Sequence, residues 1–400
     1  MSIRSARAAA CTLLPLLALV AAGCGSESTP AGPSAGQPEL AITPLPSFVQ
    51  VSVGEAHTCA VTTGGLIYCW GWNSFGQLGD GTTEERLMPV RVHGGTLRFR
   101  RVTAGDWHTC AETLEGKAYC WGDGPGTLGG GYTADEHHTP TPVVGGHTFR
   151  LIESGSDHVC GITTSGQLYC WGANWSGQLG RPPCPGPDTS ICWTPVLVTG
   201  NLEFRTVSAG DGHTCGMTIS SGAYCWGDNS LGQLGDSTTT SRFTPRPVYG
   251  GRKFKQVKAG SSHTCGLTMV DHVACWGWNA AGQLGDGKTD RRLIPHAVGG
   301  GHLFQGLSAG HMDTCAVDLS GRAYCWGWNK YGQLGDGTNR SRSLPVAVHS
   351  GLKFKPLDTR FHTCGVAGGK VYCWGANDSG QLGDGTRVDR SLPAPVKGGS

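Results

Sequence analysis

"HTCAVTTGGLIYCWGWNSFGQLGDGT", residues 57–82, holds two cysteines, two tryptophans and six glycines. The same stretch returns along the chain. Cys-Trp-Gly begins at Cys69, Cys120, Cys170, Cys225, Cys275, Cys325 and Cys373, and each triplet has an upstream partner, at Cys59, Cys110, Cys160, Cys215, Cys265, Cys315 and Cys364. Successive partners lie 51, 50, 55, 50, 50 and 49 residues apart, which makes seven copies with one insertion, in the third. A period near 50 in Gly-punctuated, β-branched and aromatic segments predicts blades of four short strands. The expected fold is all-β, a seven-bladed propeller with four antiparallel strands per blade.

In the first copy the strands are expected at Phe48–Val53, His57–Thr62, Leu66–Trp70 and Pro89–Val92, separated by Gly turns and one long Gly-rich connection. The seventh copy stops at Gly398-Gly399, without the Phe-initiated strand that follows every other copy. The N-terminal Phe48–Val53 is therefore expected to pair into the C-terminal blade and close the ring.

The pattern V-x-A-G-x-x-H-T-C…Y-C-W-G-x-N-x-x-G-Q-L, read from Val207–Cys215 and Tyr224–Leu234, resembles the regulator-of-chromosome-condensation repeat, and the resemblance extends over residues 48–399. It implies a seven-bladed propeller acting as a binding scaffold. Some members of that family are exchange factors for a small GTPase, and one bacterial member inhibits a β-lactamase.

The chain has 18 cysteines. Cys11 lies in the apolar leader and Cys24 just after it; fourteen form the seven repeat pairs, and Cys184 and Cys192 lie in the insertion. In the first copy the turn between the pair centres on Gly64, and in the seventh between Gly368 and Gly369. Both arrangements put the cysteines opposite each other across a hairpin, roughly 4.5–5.5 Å apart at Cα, which suits a disulfide. Zinc is the rival, because His57 could join Cys59 and Cys69. Against it stand the missing Cys-x-x-Cys clasp, Asp313 in the sixth copy's His slot, and an oxidising destination. Disulfides are the favoured reading; no metal and no cofactor is expected. The recurring His (His57, His108, His158, His213, His263, His362) is read as tying a turn to the backbone, and Gly76–Gly81 as a turn held by Asp and Gln side chains rather than a calcium loop.

The chain start reads as an export signal over residues 1–23: Arg4 and Arg7, an apolar run too short to span a bilayer, then Val20-Ala21-Ala22-Gly23-Cys24, which resembles a bacterial lipobox. Cys24 is the expected lipid attachment site. Residues 24–46, rich in Ser, Pro and Gly, read as a flexible tether, and residues 47–400 as the propeller. The expected location is the bacterial cell envelope, lipid-anchored, periplasmic or at the surface, with membrane contact only through the anchor. Charge is sparse and balanced, 31 Lys+Arg against 29 Asp+Glu without a basic run, so nucleic-acid binding is not expected. The chain is expected to be a monomer.

Antiparallel strands alternate direction, so the turn before each His and the loop after Cys-Trp-Gly share one end of the propeller. There the copies differ most. Candidate binding residues on this rim are Trp72, Asp106, Trp107, Asp157, Asp211, Trp278, His311, Trp328, Tyr331, Arg360 and Phe361, with Pro183 and Asp188 in the insertion Arg181–Trp193. No residue is assigned a catalytic role. The expected function is an envelope binding scaffold whose partner is another protein or a surface glycan. An inhibitor of an extracellular enzyme is the alternative; a propeller hydrolase or lyase, or a GTPase exchange factor, ranks lower. Paired carboxylates or a His–Asp contact in the channel would favour an enzyme.

Overall fold

The computed structural model describes residues 45–124, 126–131, 136–185 and 188–398. The leader, Cys24 and the tether up to residue 44 lie outside the described residues. Among the described residues no helix is long and apolar enough to cross a membrane.

Each blade is a four-stranded antiparallel sheet in chain order, and seven such sheets form the ring. Blade 1 consists of β1 (Phe48–Val53), β2 (His57–Thr62), β3 (Ile67–Gly71) and β4 (Arg86–Arg91). β3 starts one residue later than expected because the Leu66 N–H is held in the turn by Thr62 Oγ1 at 3.0 Å. β4 starts earlier because Gly71 pairs with Arg86. Every blade's fourth strand carries a proline (Pro89 in β4, Pro393 in the last blade), as suits an outer edge that must not pair further.

The expected closure by strand exchange is corrected. β1 pairs with β2 of its own blade, and the last blade has a first strand of its own, Leu357–Thr359. The Phe-initiated strand opens each blade instead of ending the one before it, so seven Phe positions from Phe48 to Phe354 serve seven blades and none is short. The ring closes by the contacts found at the other junctions. The Phe48 N–H donates to Gly369 O at 2.8 Å, as that of Phe99 donates to Gly65 O at 2.8 Å.

The junctions are built on one buried peg. The Trp121 indole N–H and the Thr109 hydroxyl, both of blade 2, donate to the main-chain oxygen of Gln77 in blade 1, at 2.9 and 2.8 Å. His57 Nε2 of blade 1 lies 2.9 Å from the same hydroxyl. That hydroxyl's proton is committed to Gln77, so His57 must donate from Nε2. The closing junction repeats the set with Trp70, Thr58, Gln381 and His362. The seven tryptophans are fully buried. Gly79 lets Trp121 lie on it: at φ +68° a Cβ would meet the indole nitrogen at 2.6 Å.

The loop that presents Gln77 is held by its own side chains. Asn73 Oδ1 accepts from the Leu78 N–H, Asp80 Oδ1 from the Thr82 N–H and hydroxyl, and Asp80 Oδ2 from Arg86. The repeat cysteines are disulfide-bonded, with Cα atoms 4.1 Å apart in the Cys59–Cys69 pair, and Cys184 is bonded to Cys192. Among the described residues no group of three His, Cys, Asp or Glu is placed to hold a metal.

One junction lacks its peg hydroxyl. Blade 3 has Val159 where other blades have Thr, and both ring nitrogens of His108 are buried without partners among the described residues. In Val159→Thr the new hydroxyl has an acceptor, the Thr127 oxygen that already takes the Trp171 indole, and a donor, His108. The variant is expected to gain about 1 kcal/mol, whereas Thr214→Val, which orphans His158 Nε2, is expected to lose about 1–3 kcal/mol. Equal losses in denaturant titrations of the two would refute the peg. Burial also drives the ring histidines down, His57, His108, His158, His263 and His362 to about 3 and His213 to about 4. Unfolded histidines near 6.5 then bind protons that the folded ring refuses. Stability is complete above pH 6.5 and drains as pH falls toward 3, by at most about 1.4 kcal/mol per pH unit for each histidine. The melting temperature is expected to drop steeply between pH 6.5 and 5; a flat profile there would mean that these rings are not buried in the neutral form.

Candidate functional site

The first strands of the blades line an axial channel of about 390 Å³. Its mouth is formed by the turns between first and second strands. In blade 1 the turn needs Gly54, where a Cβ would meet the His57 ring at 2.4 Å and the Gly105 oxygen at 2.5 Å. Blade 7 has dropped this glycine: Phe354 to His362 spans one residue fewer than Phe48 to His57. Thr359 leads directly into Arg360, and the Thr359 hydroxyl donates to Asp313 Oδ2, the blade 6 substitute for His. Burial pushes the Asp313 carboxyl up to about 8.

Arg360 consequently reaches across the mouth. Its guanidinium pairs with Asp106 of blade 2 and, at 2.9 Å, with Asp211 of blade 4. The Ser156 hydroxyl of blade 3 lies 2.5 Å from Asp106 Oδ2 and 3.0 Å from Asp157 Oδ2. Glu55 of blade 1 completes the set. Four carboxylates thus face one guanidinium. Burial raises Glu55, and the Asp106 charge adds to it. Burial raises Asp157 too, against the Ser156 hydrogen bond and with help from Asp106 and Asp211. Burial also works on Asp211, but Arg360, the Ser261 hydroxyl and His311 outweigh it and hold that carboxyl below its ordinary value. Burial opposes the Arg360 charge, yet Asp106 and Asp211 keep its pKa above the usual arginine value.

Two aromatic clusters stand on the rim, at the junctions on either side of the closing one between blades 7 and 1. Trp72, Phe75 and Trp107 meet edge to face at the blade 1–2 junction, with Trp72 and Trp107 centroids 4.7 Å apart. At the blade 6–7 junction His311 stacks on Phe361 at 4.5 Å, and Trp328 meets both Phe361 and Tyr331. Trp278 lies on blade 5, apart from both clusters, and like the clustered rings it is half-buried.

The sequence-predicted rim residues therefore divide. Asp106, Asp157, Asp211 and Arg360 come together in the mouth; Trp72 and Trp107 form one cluster; His311, Trp328, Tyr331 and Phe361 form the other. Pro183 and Asp188 stand apart on the insertion, both exposed, with Asp188 holding the Ser190 N–H and hydroxyl. The loop base is fixed where the Asn174 side-chain amide donates to Arg181 O at 2.8 Å, and Gly186 and Pro187 lie outside the described residues. Four residues were missed. Glu55 and Ser156 belong to the mouth, and Phe75 to the first aromatic cluster. Trp175, 57% exposed, is the fourth; it occupies the slot after the loop Asn, where other copies have Ser74, Ser230, Ala280, Lys330 or Asp378. Comparing that slot would have revealed it.

Comparison with known proteins agrees with this architecture. The regulator of chromosome condensation (RCC1) repeat matches residues 64–111, 165–217, 221–267, 320–360 and 368–400. The ultraviolet-B receptor UVR8 of Arabidopsis thaliana is 34% identical over 204 residues, covering 48% of this chain and 46% of the receptor. The human E3 ubiquitin-protein ligase HERC2 is 31% identical over 199 residues, covering 48% of this chain and 4% of the ligase. The chain thus spans less than half the length of these relatives. Among solved structures, Prp20p of Saccharomyces cerevisiae, described with its binding properties to Gsp1p and histones, superposes with a TM-score of 0.71 at 22% identity, covering 84% of this chain and 87% of that one. Human WBSCR16 superposes at 0.75 with 17% identity, covering 83% and 94%. These two likenesses concern the fold.

Removing Arg360 should expose what it balances. Arg360→Ala leaves Asp106 and Asp211 without their cation in a largely dry mouth, an expected loss of about 3 kcal/mol at pH 7. Asp211, held low by Arg360, contributes stability above the ordinary carboxylate pKa and loses it as pH falls through its own value. The gap between wild type and variant should therefore narrow toward pH 4 and below, and Asp211→Asn should recover part of it. A gap that does not change with pH would mean that Arg360 acts by packing alone.

Proposed function

The chain belongs to the regulator of chromosome condensation repeat family, and from that premise we propose that it is a cell-envelope protein-binding scaffold, attached through Cys24 and reading its partner with the rim. One observation carries the reading: the rim slots that vary between copies bring together two aromatic clusters, on either side of the ring-closing junction, beside a charged mouth. Half-buried aromatic rings supply large contact area at little entropic cost. Exposed Trp175 and the disulfide-bonded insertion extend the same rim. The names of the relatives, a receptor and a ligase, and a yeast structure described with its protein partners, fit a propeller that works through protein contacts. The mouth carboxylates are engaged by Arg360 and Ser156, which suits recognition better than acid–base chemistry. Inhibition of an extracellular enzyme is a special case of this reading, since an insertion closed by the Cys184–Cys192 disulfide is suited to entering a cleft.

Partner capture from the producing cell's envelope, with residues 47–400 as bait, tests the rim. Trp175→Ala, Trp328→Ala or a shortened Cys184–Cys192 loop is expected to weaken capture by about 2 kcal/mol, roughly thirtyfold, and Trp175→Ala should leave the melting temperature unchanged. Lys117→Ala, at the opposite end, should capture as wild type does. If Lys117→Ala loses the partner and the rim variants keep it, the rim is the wrong surface; capture of a glycan alone would replace the protein partner.

A further inference from the structure

The end opposite the rim, where second strands turn into third, has its own chemistry. The residue after the Phe that opens each blade is cationic in five blades, as Arg100, Arg150, Arg205, Lys255 and Lys355, with Val49 and Gln305 in the other two. All five cations are exposed and surround the far opening of the channel. Arg100 is partnered by Glu112 and Lys255 by Asp271, whereas among the described residues Arg150 and Arg205 donate to main-chain oxygens of neighbouring blades. Outside this ring, the turns of three successive blades carry large apolar residues in solvent: Ile219 at 65%, Met269 at 51%, Val270 at 69% and Leu319 at 56% exposed. Tyr249 and Leu303, on the connections between those blades, are 55% and 42% exposed. Leu114 of blade 2 is 57% exposed at the matching turn position, whereas blades 1 and 3 have Thr63 and Thr164 there, so the apolar residues are densest over blades 4 to 6.

The start of the described chain selects the occupant. The Ser47 oxygen accepts from the Thr63 N–H at 2.9 Å and the Phe48 N–H donates to Gly369 O at 2.8 Å, and both partners lie in turns of this same end. The segment that leads back to Cys24 therefore joins the propeller at the same end as the basic ring and the apolar arc, at the junction of blades 7 and 1. We propose that this end is a membrane-docking surface for an anionic bilayer, with Ile219, Met269, Val270 and Leu319 entering the headgroup boundary and the Arg/Lys ring lying over the headgroups. The proposal builds on the reading of Cys24 as a lipid-attachment site. A lipid anchor and a basic patch are two signals that reinforce each other, and apolar tips add to both. Docked this way, the propeller turns its rim away from the membrane.

The test uses the chain from residue 24 onward carrying Cys24→Ser, which keeps every described strand and removes the acylation site. Co-sedimentation with phosphatidylglycerol-containing vesicles is expected, with weaker binding in high salt and little binding to pure phosphatidylcholine. The pairs Arg150→Ser/Arg205→Ser and Ile219→Ser/Met269→Ser are each expected to weaken sedimentation by about tenfold. Lys355→Ser serves as a further cation variant should the Arg pair melt early, and Trp175→Ala on the rim should sediment as the parent does. Equal binding to both vesicle types, no binding to either, or full binding by the turn-end variants would overturn the proposal. So would competition by duplex DNA that matches the vesicles in affinity, which would make the ring a general polyanion site. Mass analysis of Cys24 in the native protein separates the two readings. An unmodified Cys24 with vesicle binding intact removes the anchor and keeps the surface, whereas an acylated Cys24 with no vesicle binding removes the surface and keeps the anchor.

Discussion

A buried carbonyl that accepts two hydrogen bonds from the neighbouring blade is the constraint on which the ring depends. The Gln77 oxygen has two lone pairs, and the Trp121 indole and Thr109 hydroxyl use both. Neither donor can reach water, so a blade displaced by an ångström would strand a buried indole N–H, a buried hydroxyl and a buried carbonyl together. The spacing of adjacent blades is therefore fixed by hydrogen-bond geometry as well as by packing. Because the hydroxyl donates to Gln77, it accepts from His57, and the histidine's tautomer follows. The Asn73–Asp80–Arg86 lattice then keeps the loop in place so that the carbonyl is always presented at the same point. Motif residues that look like ligands in the sequence are consumed by this architecture.

Departures from the pattern mark where the molecule does something else. Blade 7 loses a glycine at the junction where blade 6 has lost its histidine, and the two losses fit: Asp313 is shorter than His, and Thr359 fills the space and bonds to it. What the pair of changes achieves is the position of Arg360, which lies at the axis and is held there by carboxylates from blades 2 and 4. A scaffold whose local rules agree everywhere else can accommodate one discordant junction, and such junctions are where function concentrates.

The sequence made the blades legible because the repeat carries its own ruler. Cysteine spacing set the count, turn parity placed the cysteines opposite each other, and strand alternation assigned the variable slots to one end. It did not reveal the phase of the repeat. Counting from cysteine to cysteine leaves the Phe-initiated strand attachable to either neighbour, and only the pairing of Phe48–Val53 with His57–Thr62 decides it. Contacts across the axis were also invisible. Asp211 and Arg360 are 149 residues apart, and periodicity says which slot each occupies but not how far a side chain extends over the channel. The rim aromatics are less exposed than free anchors would be because Trp72 and Trp107, or Trp328 and Phe361, come from adjacent blades and shield each other.

The two ends of the propeller carry opposite electrostatic characters even though the whole chain is nearly neutral. At the mouth four carboxylates outnumber one guanidinium; around the far opening five cations stand at equivalent positions of the repeat. Parity imposes this polarity, since every first strand runs from the turn end to the mouth, and a residue type favoured at one position of the repeat is multiplied into a ring at one end. A fold without internal repeats would need many independent surface choices to separate its charges this way. In a closed ring a single preference, repeated, gives the molecule a direction, and anything that binds one end finds the other presented to the opposite side.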